Sequence, residues 1–173
     1  MGTIVDTANA ALAELRRRDQ GGGVVTSEPL VPGVWFHMGI GETEPDAEYF
    51  LPDDALLRLS LRAETPCQWL TLNLAFDDGD LAEHRAIGFA ARSRAPRTTV
   101  VRACVRSFRG GAFEDVHFPL HLVAFGEESS HADALWTAEH RALMAPADRR
   151  ILVFFFDRTG FEITLTDLCL FCA

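Results

Sequence analysis

Lysine is missing from this chain: every one of its 16 basic residues is arginine. Without a lysine amine there is no Schiff base and no pyridoxal-phosphate chemistry. The same absence excludes the phosphate-cradling G-x-x-x-x-G-K-[ST] loop. No G-x-S-x-G nucleophile elbow occurs. No apolar run approaches the roughly 20 residues needed to cross a bilayer as a helix. The first 20 residues carry Asp6 and Glu14 and show no basic leader ahead of an apolar stretch. A secretory signal is therefore not expected, and the expected location is cytoplasmic, with no membrane partner. Positive charge is also in deficit. Acidic residues outnumber arginines 25 to 16, giving a net charge of −9. A basic footprint for nucleic acid is lacking, so no nucleic-acid partner is expected.

Cysteine is sparse, at four residues. Cys169 and Cys172 form a C-x-x-C, but on an alternating apolar stretch. The redox form of that motif sits at a helix N-terminus, where the dipole lowers the thiol pKa. On a strand, residues three apart point to opposite faces. The pair therefore reads as ordinary thiols, as do Cys67 and Cys104.

What is present is a length of 173 residues with 48% hydrophobic content, enough for one domain with its own core. Residues 3–18 are patterned as an amphipathic helix. Thr3 and Asp6 form a candidate capping box, and Ile4, Ala8, Ala11, Leu12 and Leu15 form the apolar stripe. Gly21, Gly22 and Gly23 are expected to end it. The stripe is narrow, so the helix is expected to dock on the domain or on a second copy, a route to a homo-oligomer.

Beyond the helix the period changes to two. Leu57, Leu59 and Leu61 alternate with Arg58, Ser60 and Arg62. Leu70, Leu72, Leu74 and Phe76 alternate with Trp69, Thr71, Asn73 and Ala75. Val101, Ala103 and Val105 alternate with Arg102, Cys104 and Arg106, and a further run spans residues 115–124. Each predicts a strand with one wet face. Residues 151–156, ILVFFF, predict a strand covered on both faces. Turn signals at 77–80, 109–111 and 157–160 separate the runs. Residues 131–144 are ambiguous between helix and strand, with Ser130 and Asp133 as a candidate cap. Eight or nine strands at this spacing predict an all-β, antiparallel sandwich or barrel. The expected division is helix 1–22 and sandwich 23–173.

The chain closes on FEITLTDLCLFCA, preceded by an apolar strand and a short turn. A strand of the form F-x-I-x-L-x-D-L-x-L-F after such a turn resembles the closing hairpin of galactose-binding-like jelly rolls, the fold of many carbohydrate-binding modules. The resemblance covers the strand order of residues 45–173 and leaves out the helix. It implies that the last strand returns beside an early one, which protects its edge. Fold alone does not assign an activity.

The candidate ligand-binding residues are Trp69, Thr71, Asn73, Arg58, Arg62, Arg102 and Arg106, all on wet strand faces. An indole stacks on the apolar face of a pyranose, an amide bonds its hydroxyls, and guanidinium forks match carboxylate or phosphate. The plainer reading is a solvated face with arginines paired to loop carboxylates. Asp115, His117 and His121 are weak metal candidates. The two histidines are four apart, about 13 Å along a strand, and only a bend at Pro119 would bring them together. Asp77, Asp78 and Asp80 around Gly79 suggest a structural Ca²⁺ site, although a full site needs six to eight oxygens. An Asp-Gly turn explains them without an ion. No residue pattern singles out a catalytic group, and a paired-carboxylate site is defined by spatial separation alone. The function expected is thus non-catalytic binding of carbohydrate or a sugar nucleotide, with no cofactor. The alternatives are a protein-interaction or assembly domain built on the helix, and a metal-dependent jelly-roll enzyme.

Overall fold

Alternating apolar and polar residues give a strand one dry side, and two sheets of such strands can share a core. A computed structural model, describing residues 4–76 and 80–173, has this arrangement. A six-stranded sheet is built from β1 (Gln20–Gly23), β4 (Asp46–Leu51), β5 (Leu57–Arg62), β7 (Ala86–Arg94), β11 (Ser129–Trp136) and β13 (Gly160–Cys172). Its order is β1-β4-β5-β13-β7-β11. A seven-stranded sheet faces it, with β2 (Pro29–Val31), β3 (Val34–Gly39), β6 (Trp69–Phe76), β8 (Thr99–Arg109), β9 (Ala112–His117), β10 (Leu122–Ala124) and β12 (Arg149–Phe155). There the order is β10-β8-β12-β6-β3-β2, and β9 also pairs with β8. Every pairing is antiparallel. The protein is an all-β antiparallel sandwich of jelly-roll type with an N-terminal helix.

The closing strand β13 lies between β5 and β7, so its edges are paired rather than free. A bulge between Leu165 and Asp167 marks where β5 ends and β7 continues. Beyond that point β13 would expose backbone groups on one side. The helix α1 (Asp6–Leu15) covers them: the Asn9 amide donates to the Leu170 carbonyl and accepts from the Leu170 N–H, both at 2.9 Å. Asn9 thus replaces the missing strand, and Arg16 pairs with Asp167 beside it.

The dry faces meet in one core. Leu57, Leu59, Leu61, Leu70, Leu72, Leu74, Leu152 and Ile163 are all buried. Phe89 sits edge-on to both Phe118, at 4.9 Å between centroids, and Phe154, at 5.0 Å. Ala8, Ala11, Leu12 and Leu15 of α1 join this same cluster.

Several expectations are corrected. The N-cap of α1 is Val5, with no side-chain cap; Thr3, half of the expected capping box, lies outside the described residues. The helix ends at Leu15, and Gly21, Gly22 and Gly23 form most of β1 instead of a stop signal. The boundary expected between residues 22 and 23 falls inside that strand. Residues 115–124 are not one strand. Between the pairs His117–Cys104 and Leu122–Val101 one side advances five residues and the other three, a bulge centred on Pro119. Residues 131–144 divide: β11 runs to Trp136, a 3₁₀ turn spans Thr137–Glu139, and α2 covers Arg141–Met144. Ser130 and Asp133 cap no helix; Asp133 accepts from the Leu120 and Ala134 amides. Inside the fold, the buried Arg150 donates to the carbonyls of Leu143 and Ala145, closing the end of α2.

Candidate functional site

The outward face of the seven-stranded sheet is where most of the singled-out residues meet. The ladder sets them in rows. One row runs Arg102, Phe155, Thr71, His37 across β8, β12, β6 and β3. The next runs His117, Cys104, Val153, Asn73, Trp35, starting from β9. A third runs Asp115, Arg106, Ile151, Ala75. Trp69 stands at the end of β6, paired with Gly39. A Cβ at Gly39 would lie 2.8 Å from the Trp69 indole, so glycine makes room for the ring.

This face is not simply wet. Cys104, Ile151 and Val153 are buried and form a second apolar cluster with Trp35, Ala75, Phe108 and Phe155 packed against it. The strand 151–156 is therefore covered on both sides, as its composition predicts. Its outer cover consists of large side chains from neighbouring strands. Burial also disarms the thiol: desolvation, and secondarily the Asp115 charge, push Cys104 up to about 12, so it stays protonated and is no nucleophile at neutral pH.

Thr71 and Asn73 belong to the floor, at 4% and 3% exposure. The Thr71 hydroxyl donates to the His37 carbonyl at 3.2 Å. The Asn73 amide donates to the Thr71 hydroxyl at 3.1 Å and to the Trp35 carbonyl at 3.4 Å. Their polar groups hold β6 to β3 under the surface and leave ligand contact to the residues above them.

Above the floor, guanidinium groups lie on rings. Arg106 sits 4.0 Å from the Phe113 centroid and makes a two-pronged pair with Asp115, both contacts 2.7 Å. Arg149 sits 4.4 Å from Phe108 and 6.0 Å from Trp35. Arg102 is 5.9 Å from Phe155. These contacts orient the arginines and occupy ring faces. Trp69 differs: 39% exposed, it touches the His37 ring at 5.5 Å and, among the described residues, carries no guanidinium. Beside it opens a groove of about 490 Å³, whose lining includes Gln68, Trp69, Arg102, His121, Phe155 and Arg158.

Arg58 and Arg62 do not reach this face. They lie on β5, in the other sheet, where Arg58 bonds Asp54 at 3.0 and 3.1 Å. Of the metal candidates, Asp115 is engaged by Arg106, His117 lies 6.0 Å from the Phe155 ring, and His121 lies across the Pro119 bulge in the groove. Among the described residues no group of three His, Cys, Asp or Glu side chains is placed to hold a metal ion. Asp77 and Asp78 lie outside the described residues, and Asp80 accepts from the Ala82 amide to cap a short 3₁₀ turn. Cys169 and Cys172 are free thiols.

Trp35 and His37 were open to discovery, since they alternate with Val34, Phe36 and Met38 along β3. Phe155 was not, because its strand is apolar on both sides. Arg158 sits in a turn, where no periodicity points.

The sequence matches no family model, and no curated protein matches it. Solved structures do share the fold. The family 11 carbohydrate-binding module from Clostridium thermocellum, in complex with a β-1,3-1,4-mixed-linked tetrasaccharide, superposes with a TM-score of 0.56 at 10% identity, over 90% of this chain and 98% of that one. The N-terminal cellulose-binding domain of Cellulomonas fimi β-1,4-glucanase C gives 0.53 at 14% identity, over 80% and 88%. The CBM22-1 xylan-binding domain from Paenibacillus barcinonensis Xyn10C gives 0.50 at 7%, over 88% and 92%. The resemblance read from the closing hairpin holds at the level of fold.

Proposed function

We propose that this chain binds carbohydrate on the outer face of its seven-stranded sheet, with Trp69 as the stacking platform. The observation that carries the reading is the exposed Trp69 ring at the mouth of a groove, on a face whose other large rings are partly capped by arginines. A half-exposed indole presents an apolar plane that fits the C–H face of a pyranose, with polar groups beside it for hydroxyls. Gln68, Arg102 and His121 supply those groups. The fold shared with carbohydrate-binding modules supports the assignment by analogy.

The α1 stripe packs into the core of its own domain, which favours the binding reading over assembly through that stripe. The test is titration of the purified chain with a panel of oligosaccharides and sugar nucleotides, followed by tryptophan fluorescence, in the parent and in Trp69→Ala. The variant is expected to stay folded and to lose about 2 kcal/mol of binding or more, roughly thirtyfold. Saturable binding that Trp69→Ala leaves unchanged would move the site elsewhere.

A further inference from the structure

The charge of the groove says more about its occupant than the fold does. The chain as a whole is at −9. Yet the outward strand positions of the seven-stranded sheet carry Arg102, Arg106 and Arg149 against Asp115 alone, and that one carboxylate is taken by Arg106. In the groove itself stand Arg102, Arg158 and His121, with Asp157 as the only carboxylate among the described residues that line it. Asp157 is turned to its own loop: one oxygen accepts from the Thr159 amide and hydroxyl, both at 2.7 Å, and from the Gly160 amide at 3.3 Å. Neither Arg102 nor Arg158 has an ion-pair partner among the described residues. Two unpaired guanidinium groups and an imidazole around one concave space, next to a free indole face, form a site for an oxyanion carried on a sugar ring.

We infer that the ligand is an acidic glycan, one bearing carboxylate or sulfate groups. Its pyranose lies on Trp69, and its anionic group lies between Arg102 and Arg158. This rests on the carbohydrate reading above and narrows it. Each guanidinium presents two parallel N–H donors, which match either a uronate carboxylate or a sulfate ester. A neutral glucan or xylan offers nothing for that charge to meet. The overall negative charge of the chain repels polyanions at long range, so capture depends on the groove at close quarters and weakens with salt.

The experiment is isothermal titration of the full chain at low and moderate salt. The probes are a neutral β-glucan hexasaccharide, an oligogalacturonate of the same length, a sulfated oligosaccharide, and a deoxythymidine oligonucleotide of similar charge. The variants are Arg102→Gln, Arg158→Gln, Trp69→Ala and, on the opposite sheet, Arg58→Gln. Tighter binding of one acidic oligosaccharide, weakened about tenfold by each groove arginine variant and not by Arg58→Gln, is the expected result. The uronate and sulfate arms decide which oxyanion is meant. If the neutral hexasaccharide binds at least as well, and Arg102→Gln leaves it unchanged while Trp69→Ala abolishes it, the acidic assignment fails and the carbohydrate reading stands. If the oligonucleotide binds as well as the acidic sugars, or Trp69→Ala leaves acidic binding intact, the site is a polyanion surface and the inference is overturned. If no oligosaccharide binds, both readings fail together.

Discussion

The two outer faces of the sandwich use the same residue for different ends. On the six-stranded sheet, arginines are joined to carboxylates: Arg58 and Arg94 to Asp54, Arg92 to Glu128 and Asp167, and Arg16 to Asp167. These pairs are well exposed, and each is worth little. On the seven-stranded sheet, Arg102, Arg106 and Arg149 lie over aromatic rings, and among the described residues only Arg106 of these three has a carboxylate partner, Asp115. The first face pairs Arg58, Arg92 and Arg94 internally. The second holds its arginines in place and leaves Arg102 and Arg149 without a carboxylate partner among the described residues, an electrostatic cost that a ligand can offset. Beneath it lies a buried apolar cluster that, among the described residues, the first face lacks.

The largest expected effect tests that cluster. Ile151→Ala, on the outer side of β12, should destabilise by about 2–5 kcal/mol, as a core truncation does. Phe50→Ala removes a larger side chain from the outer side of the other sheet, but that ring is 44% exposed, and its loss should cost only about 1 kcal/mol. Urea unfolding of the two variants checks this. Equal shifts in midpoint would mean that the outer cluster is ordinary surface.

The ion pairs give a smaller contrast. Arg106–Asp115 is about four-fifths shielded, with side-chain exposures of 20% and 19%. Asp115→Asn should cost about 1–3 kcal/mol, since it strips a buried two-pronged bond. Asp54→Asn loosens two pairs yet should cost below about 1 kcal/mol. The ranking reverses if Arg106 simply turns out to water.

The smallest effect is pH-dependent. The Thr159 hydroxyl and amide, with the Gly160 and Arg158 amides, hold the Asp157 carboxyl below its ordinary value. A depressed carboxylate adds stability that is fully present above its unfolded pKa of about 3.9 and is lost as pH falls through the lower folded value. Asp157→Ala should therefore be less stable than the parent at pH 7, with the gap closing below about pH 4. A gap that stays constant into acid would show that the turn does not depend on the ionised carboxylate.

Much of the architecture was open to reading. The alternations at residues 57–62, 70–76 and 101–106 all became strands, and the closing pair β12 and β13 flanks the turn where Asp157 sits. The misreadings share one cause. Gly21 to Gly23 pair with residues of β4 that lie 25 to 29 positions further along the chain, and the Pro119 bulge is visible only against β8. Hydrogen-bond partners that distant leave no local trace. The same holds for Thr71 and Asn73, which look like surface polar residues until β3 arrives beside them with the His37 and Trp35 carbonyls.

Local pattern was enough to say that strands form, where turns break them, that one face of each is dry, and that no lysine chemistry is available. It could not say which sheet a strand joins. Arg58 and Arg62 sit in an alternation of the same kind as Arg102 and Arg106, yet β5 pairs with β13 and β8 pairs with β12, so the two sets point in opposite directions from the core. A period of two reports only that a strand has an inside and an outside. Which residues share that outside is settled by strand pairing across the whole chain, and so is the composition of the groove.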